Sequence, residues 1–116
     1  MELSRNAQHY FTTALWSSAD SNDEPLDANY DYTDLSEEAI AQAKADIDKF
    51  IELAGPLLDD HEYSQIMHDF WLTRNRHGAG FWDGDYDKAV GEALTKLSHS
   101  FSELNLYVGD DGKLYF

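Results

Sequence analysis

Residues 34–56 read DLSEEAIAQAKADIDKFIELAGP. Ile40, Ala43, Ile47, Phe50, Ile51 and Ala54 recur at three- and four-residue intervals, a spacing that gathers them on one helical face. Asp34 with Glu37 three positions on forms a capping-box-like pair, and Gly55-Pro56 supplies a stop, so the stretch predicts a helix from about 34 to 54. An apolar stripe of this width needs partners, and the flanking sequence offers three. Leu3, Ala7, Tyr10, Phe11 and Ala14 predict a helix over about 3–17. Tyr63, Ile66, Met67, Phe70 and Trp71 predict one over about 59–75, ended by Asn75 or Gly78. Val90, Ala93, Leu94, Leu97 and Phe101 predict one over about 86–101.

The end of the chain has a different period. LNLYV (104–108), GDDG (109–112) and KLYF (113–116) are two short β-prone runs around a turn, hence a hairpin. A lone hairpin is marginal in water, so it should pack on the helices or pair with another edge, which leaves room for a homo-oligomer. The expected fold is α+β: about four amphipathic helices and a C-terminal β-hairpin in one domain of 116 residues. Residues 17–34, SSADSNDEPLDANYDYTD, read as a connecting loop with a short helical turn, with Tyr30 and Tyr32 pinning it to the core.

Charge is the most informative feature. Residues 1–62 hold 15 acids and 3 bases, whereas residues 63–116 hold 8 acids and 5 bases, within a formal net charge of -15. No Lys or Arg stands between Arg5 and Lys44, while Asp20, Asp23, Glu24, Asp27, Asp31, Asp34, Glu37 and Glu38 recur every few positions. Such a stripe argues against direct contact with nucleic-acid phosphates or anionic lipid and favours a basic partner. The expected partner-binding residues are this stripe, supported by Asp46, Asp48, Asp59 and Asp60. The plainer alternative is a solvated face that serves solubility alone.

Catalytic patterns are weak. Asp83, Asp85 and Asp87 alternate like the start of a calcium loop, but Lys88 and Leu94 stand where such a loop needs Gly and Glu, so a helix N-cap is the better reading. His9, His61, His68, His77 and His99 lack metal-site spacing, and there is no cysteine. No G-x-S-x-G elbow is present. Neither a cofactor nor a metal is required. The stretch FWLTRNRHGAGFWDGDYD (70–87) carries the best enzyme hypothesis: a cationic loop of Arg74, Arg76 and His77 with Gly78 and Gly80 cradles a phosphate while Asp83 orients His77 as a general base. This would make the chain a small hydrolase or nucleotide-binding protein. The competing reading is a helix end with cations at its negative pole, and a glycine turn that returns Phe81 and Trp82 to the core beside Phe70 and Trp71. With no apolar run of membrane-spanning length, no basic-then-apolar leader and no cysteine, a cytoplasmic location is expected.

FWLTRNRHGAGFWDGDY, followed by LTKL and the ending LYVGDDGKLYF, resembles a group of small proteins encoded by bacteriophages and plasmids, over roughly residues 63–116. The resemblance implies a mobile-element setting in a bacterial host and carries no catalytic residue with it. Small acidic phage proteins of other families, among them antirestriction proteins, some anti-CRISPR proteins and uracil-DNA glycosylase inhibitors, imitate DNA. By analogy of class the expected function is inhibition of a nucleic-acid-binding defence or repair protein by nucleic-acid mimicry. A non-catalytic structural or regulatory interaction protein is the remaining alternative.

Overall fold

The computed structural model describes residues 3–19, 22–59, 61–76, 80–81 and 86–116. Among these the order is α1 (Arg5–Ser17), α2 (Glu37–Ala54), α3 (Tyr63–Arg74), α4 (Lys88–Ser100), then β1 (Tyr107–Val108) and β2 (Leu114–Tyr115). The fold is α+β, four helices with a C-terminal antiparallel hairpin.

Helix α2 begins later than its sequence suggests. Leu35 and Ser36 are extended, because Leu35 bridges to Leu114 and the Ser36 N–H donates to the Leu114 carbonyl at 3.0 Å. A helix cannot start at Asp34 while the next two residues pair with a strand. Ser36 therefore caps α2, its Oγ accepting from the Ala39 N–H at 3.1 Å. Asp34 instead closes the preceding 3-10 turn, Tyr32–Asp34, where its Oδ2 accepts from the Asp31 N–H at 2.9 Å. The far end is as expected: Gly55, at φ 49 and ψ -125, takes a positive-φ backbone that glycine tolerates best, and its N–H reaches the Ile51 carbonyl. Ala43, Ile47, Phe50 and Ala54 are buried, with Ile40 and Ile51 packed at the margin.

Helix α1 is capped by Ser4 and buries Ala7, Tyr10, Phe11, Ala14 and Leu15. In the acidic connection, Pro25 opens a 3-10 turn (Leu26–Ala28) whose Leu26 is fully buried, so Leu26 anchors this segment more than the two tyrosines do. Tyr30 packs against the core margin, and Tyr32 donates its hydroxyl to the Gln8 carbonyl at 2.9 Å and touches Thr12 Oγ1, yet keeps 37% of its surface exposed.

Helix α3 lies between α1 and α4 and is buried at every position from Asp69 to Arg74. Tyr63, expected in the core, is exposed, whereas Ile66 in the same turn is fully buried. The helix starts at Tyr63 rather than at about 59, with Glu62 extended at its N-cap. Asn75 ends α3 as expected: Nδ2 donates to the Trp71 carbonyl at 3.0 Å while Oδ1 accepts the Leu104 N–H at 2.8 Å. In α4 only Leu94 of the expected stripe is fully buried; Val90, Leu97 and Phe101 lie at the margin. Gly91 lets α4 approach the Phe81 backbone, since a Cβ there would lie 2.7 Å from the Phe81 carbonyl oxygen. Asp87 stands at the N-cap of α4 as expected, but its side chain makes no capping bond.

The core is aromatic. Phe50 stacks on Phe70 at 4.1 Å between ring centroids and on Phe81 at 5.8 Å, and Tyr10 meets Trp71 edge-on at 5.2 Å. Phe70, Trp71 and Phe81 are buried as expected, and Trp82 lies outside the described residues. The hairpin pairs Tyr107 with Tyr115 and Val108 with Leu114, and the fully buried Leu114 ties it to the segment entering α2.

Candidate protein-interaction surface

The acidic stripe stays at the surface. Asp23, Glu24, Asp27, Asp31, Glu37 and Glu38 are exposed and Asp34 is half-buried. Local hydrogen bonds fix several of them. Asp31 Oδ1 accepts from Thr33 Oγ1 at 2.6 Å and from the Thr33 N–H at 2.8 Å, and these bonds hold its carboxyl below the ordinary value of 3.8. Glu24 accepts from Asn29 Nδ2 at 3.1 Å. Glu37 and Glu38 occupy the first turn of α2, where the positive end of the helix dipole favours carboxylates.

Folding adds two acids to this face that the sequence reading did not include. The link between Leu35 and Leu114 carries the hairpin turn to the start of α2, so that Glu38 shares one open cleft with Asp110 and Asp111. Asp111 accepts from the Tyr115 hydroxyl at 2.7 Å and from the Lys113 N–H at 3.0 Å, which lowers its pKa. The same bond to Asp111 pushes the Tyr115 hydroxyl up to about 12. On the other side of the stripe, Asp27 and Asp31 border a second cleft with Tyr30 and Tyr32.

A titration follows from these bonds. A carboxyl depressed on folding contributes stability above its unfolded pKa and loses it as the pH falls through the folded value. Carboxyl carbon NMR should therefore show Asp31 and Asp111 still ionised below 3.8. Thr33→Ala and Tyr115→Phe should return them, respectively, toward that value. Titration of both at 3.8 in the parent would show that these bonds do not persist in solution.

Other expected members of the surface fare differently. Asp46 is a correction. Its Oδ2 accepts from Arg74 Nη1 at 2.7 Å with only 14% of the side chain exposed, so it is a half-buried counter-ion rather than an offered carboxylate. The sequence held the signal, since Asp46 stands three residues after Ala43 and four before Phe50, on the buried stripe. Asp48 is exposed, but Lys44 stands between it and Glu37 on the same exposed helical strip and interrupts the negative face. Asp59 is exposed just after the Gly55–Leu58 turn. Asp20 and Asp60 lie outside the described residues.

The phosphate-cradle hypothesis loses one of its cations, Arg74, while Arg76 stays exposed, 3.7 Å from Glu103. Arg74 is 2% exposed and its donors are engaged: Nη1 with Asp46 and, at 3.0 Å, with the Tyr10 hydroxyl; Nε and Nη2 with the Ser102 carbonyl at 3.0 and 2.6 Å. The Phe70 and Phe101 rings cover its guanidinium at 5.6 and 5.4 Å. Burial pushes the Tyr10 hydroxyl well above its ordinary value, so it remains a neutral member of this network. His77 and Asp83 lie outside the described residues.

Asp69, 3% exposed, is a buried carboxylate that its sequence context did not signal. It accepts from Gln65 Nε2 at 3.0 and 3.1 Å and from the Tyr86 hydroxyl at 2.9 Å, and it lies 3.2 Å from His68 Nδ1. The Tyr86 bond ties α3 to the segment that precedes α4. Among the described residues no three His, Asp or Glu side chains are grouped to hold a metal ion. No protein-family model, curated protein or solved structure matches the chain.

Proposed function

We propose that the chain is a non-catalytic binding protein that offers an array of carboxylates to the basic surface of a nucleic-acid-binding protein, and so competes with nucleic acid. The observation that carries this reading is the exposed acidic run from Asp23 to Glu38, extended by Asp110 and Asp111 across the α2–hairpin junction. Carboxylates held by local hydrogen bonds lose little freedom on binding, and a one-signed surface accelerates encounter with an oppositely charged one. The resemblance to phage- and plasmid-encoded proteins supports a bacterial defence or repair protein, of the restriction or CRISPR type, as the target in the host cytoplasm. The removal of Arg74 from the surface weakens the alternative of a small phosphate-handling enzyme.

The test is the triple change Asp27→Asn, Asp31→Asn and Asp34→Asn, which removes three charges while keeping acceptors for the turn-closing bonds. A partner captured from a bacterial host lysate and released by duplex DNA should bind this variant about tenfold more weakly at low salt, with a flatter salt dependence. Equal binding of parent and variant across salt would reduce the stripe to a solvated face and leave a structural or regulatory role as the better reading.

A further inference from the structure

We propose that the outer face of the C-terminal hairpin is a receptor for an arginine side chain of the partner, an inference that rests on the reading above only in taking that partner to be basic. Strand alternation puts Val108 and Leu114 on the core side of the two-stranded sheet and Tyr107 and Tyr115 on the other. The two tyrosine rings stack at 6.1 Å with 28° between their planes. Tyr107 is 51% exposed, so this sheet face is an aromatic surface without a cover in the monomer. The cleft beside it, about 520 Å³, is bordered by the carboxylates of Glu38, Asp110 and Asp111.

The face is also held in place. Tyr115 lies so close to Gly109 that a Cβ there would stand 2.6 Å from its ring, and its hydroxyl is fixed by Asp111. Asp111 receives Lys113 N–H on Oδ1 and the Tyr115 hydroxyl on Oδ2, and each oxygen keeps a further lone pair for an incoming donor. Lys113 is the one base in residues 104–116, against Asp110, Asp111 and the adjacent Glu38, so the cleft stays acidic.

Charge complementarity selects a cation, and the rings select which cation. A guanidinium is planar and weakly hydrated, so it stacks on tyrosine while its N–H edge reaches carboxylates; a lysine ammonium is compact and strongly hydrated and gains less from the ring.

The experiment titrates the isotope-labelled full chain with acetyl-Gly-Arg-Gly-Arg-Gly-amide and its lysine counterpart at matched ionic strength, read by amide NMR. Shifts should centre on Tyr107, Gly109, Asp110, Asp111 and Tyr115, with the arginine peptide bound about fivefold more tightly than the lysine peptide. Tyr107→Ala, at an exposed position outside the core, should bring the arginine peptide to the level of the lysine one, and Tyr107→Phe should retain the preference. Equal affinities, shifts centred elsewhere, or no shifts at millimolar peptide would overturn the proposal. The Asp27, Asp31 and Asp34 triple variant should leave this titration unchanged, and its abolition there would move the site to the stripe and defeat the hairpin assignment. A failed peptide titration alongside intact, salt-dependent partner binding removes the receptor and leaves the acidic-stripe reading standing. The opposite pair of results removes the stripe and retains the receptor.

Discussion

Replacing Asp46 by Ala is expected to destabilise the protein by about 3–5 kcal/mol, because it strands a buried guanidinium without its counter-charge. Arg74 is 2% exposed, and no other carboxylate among the described residues forms an ion pair with it. Its remaining bonds, to Ser102 and Tyr10, are with neutral groups that share its dipoles but cannot neutralise it. Asp46→Asn should cost less, since an amide oxygen still accepts from Nη1. Urea unfolding of the two variants and the parent measures this as a fall in midpoint at constant slope. A midpoint for Asp46→Ala indistinguishable from the parent would mean that Arg74 reaches solvent or another acid, and the buried pair would have to be abandoned. The same measurement separates Asp46 from the acidic stripe: its loss should act through unfolding, whereas loss of Asp27 or Asp31 should act through binding.

Phe70→Ala should have a comparable effect, about 3–5 kcal/mol, for a different reason. Phe70 is fully buried, stacks on Phe50 at 4.1 Å, and lies 5.1 Å from Phe101 and 5.7 Å from Tyr10 by ring centroid. Removing the ring leaves a cavity where α1, α2 and α3 meet, and exposes one face of the Arg74 guanidinium to that void. Phe70→Leu should lose much less, because it refills most of the volume. Phe50→Ala combined with Phe70→Ala should fall short of the sum of the single changes, because each removes the other's partner. Thermal and urea unfolding provide the comparison; full additivity would show that the two rings do not share one packing site.

The four helices and the hairpin were legible in the sequence because each is written in local terms. The period of Ala43, Ile47, Phe50 and Ala54 states a buried face, Gly55-Pro56 states an end, and two β-prone runs around GDDG state a turn. The start of α2 is not legible locally, because Asp34 and Glu37 satisfy a local capping rule, while the residue that decides the matter, Leu114, lies at the other end of the chain. Residues held at extended dihedrals to pair with a strand, as Leu35 and Ser36 are, cannot hold helical ones at the same time.

Charge by itself determined that this protein carries a concentrated negative surface between Arg5 and Lys44, since exposed carboxylates without bases among them remain negative in any fold that keeps them at the surface. Which acids belong to that surface was decided only in three dimensions. Asp46 left it for Arg74, 28 positions away, because an ion removed from water needs its counter-ion within hydrogen-bond distance. Asp110 and Asp111 joined Glu38 because β2 pairs with the segment entering α2, and the position of the paired backbone fixes where a turn's side chains lie. Sequence records the sign and spacing of charges along the chain, but desolvation and long-range pairing depend on distances across it, and those are set only when the core closes.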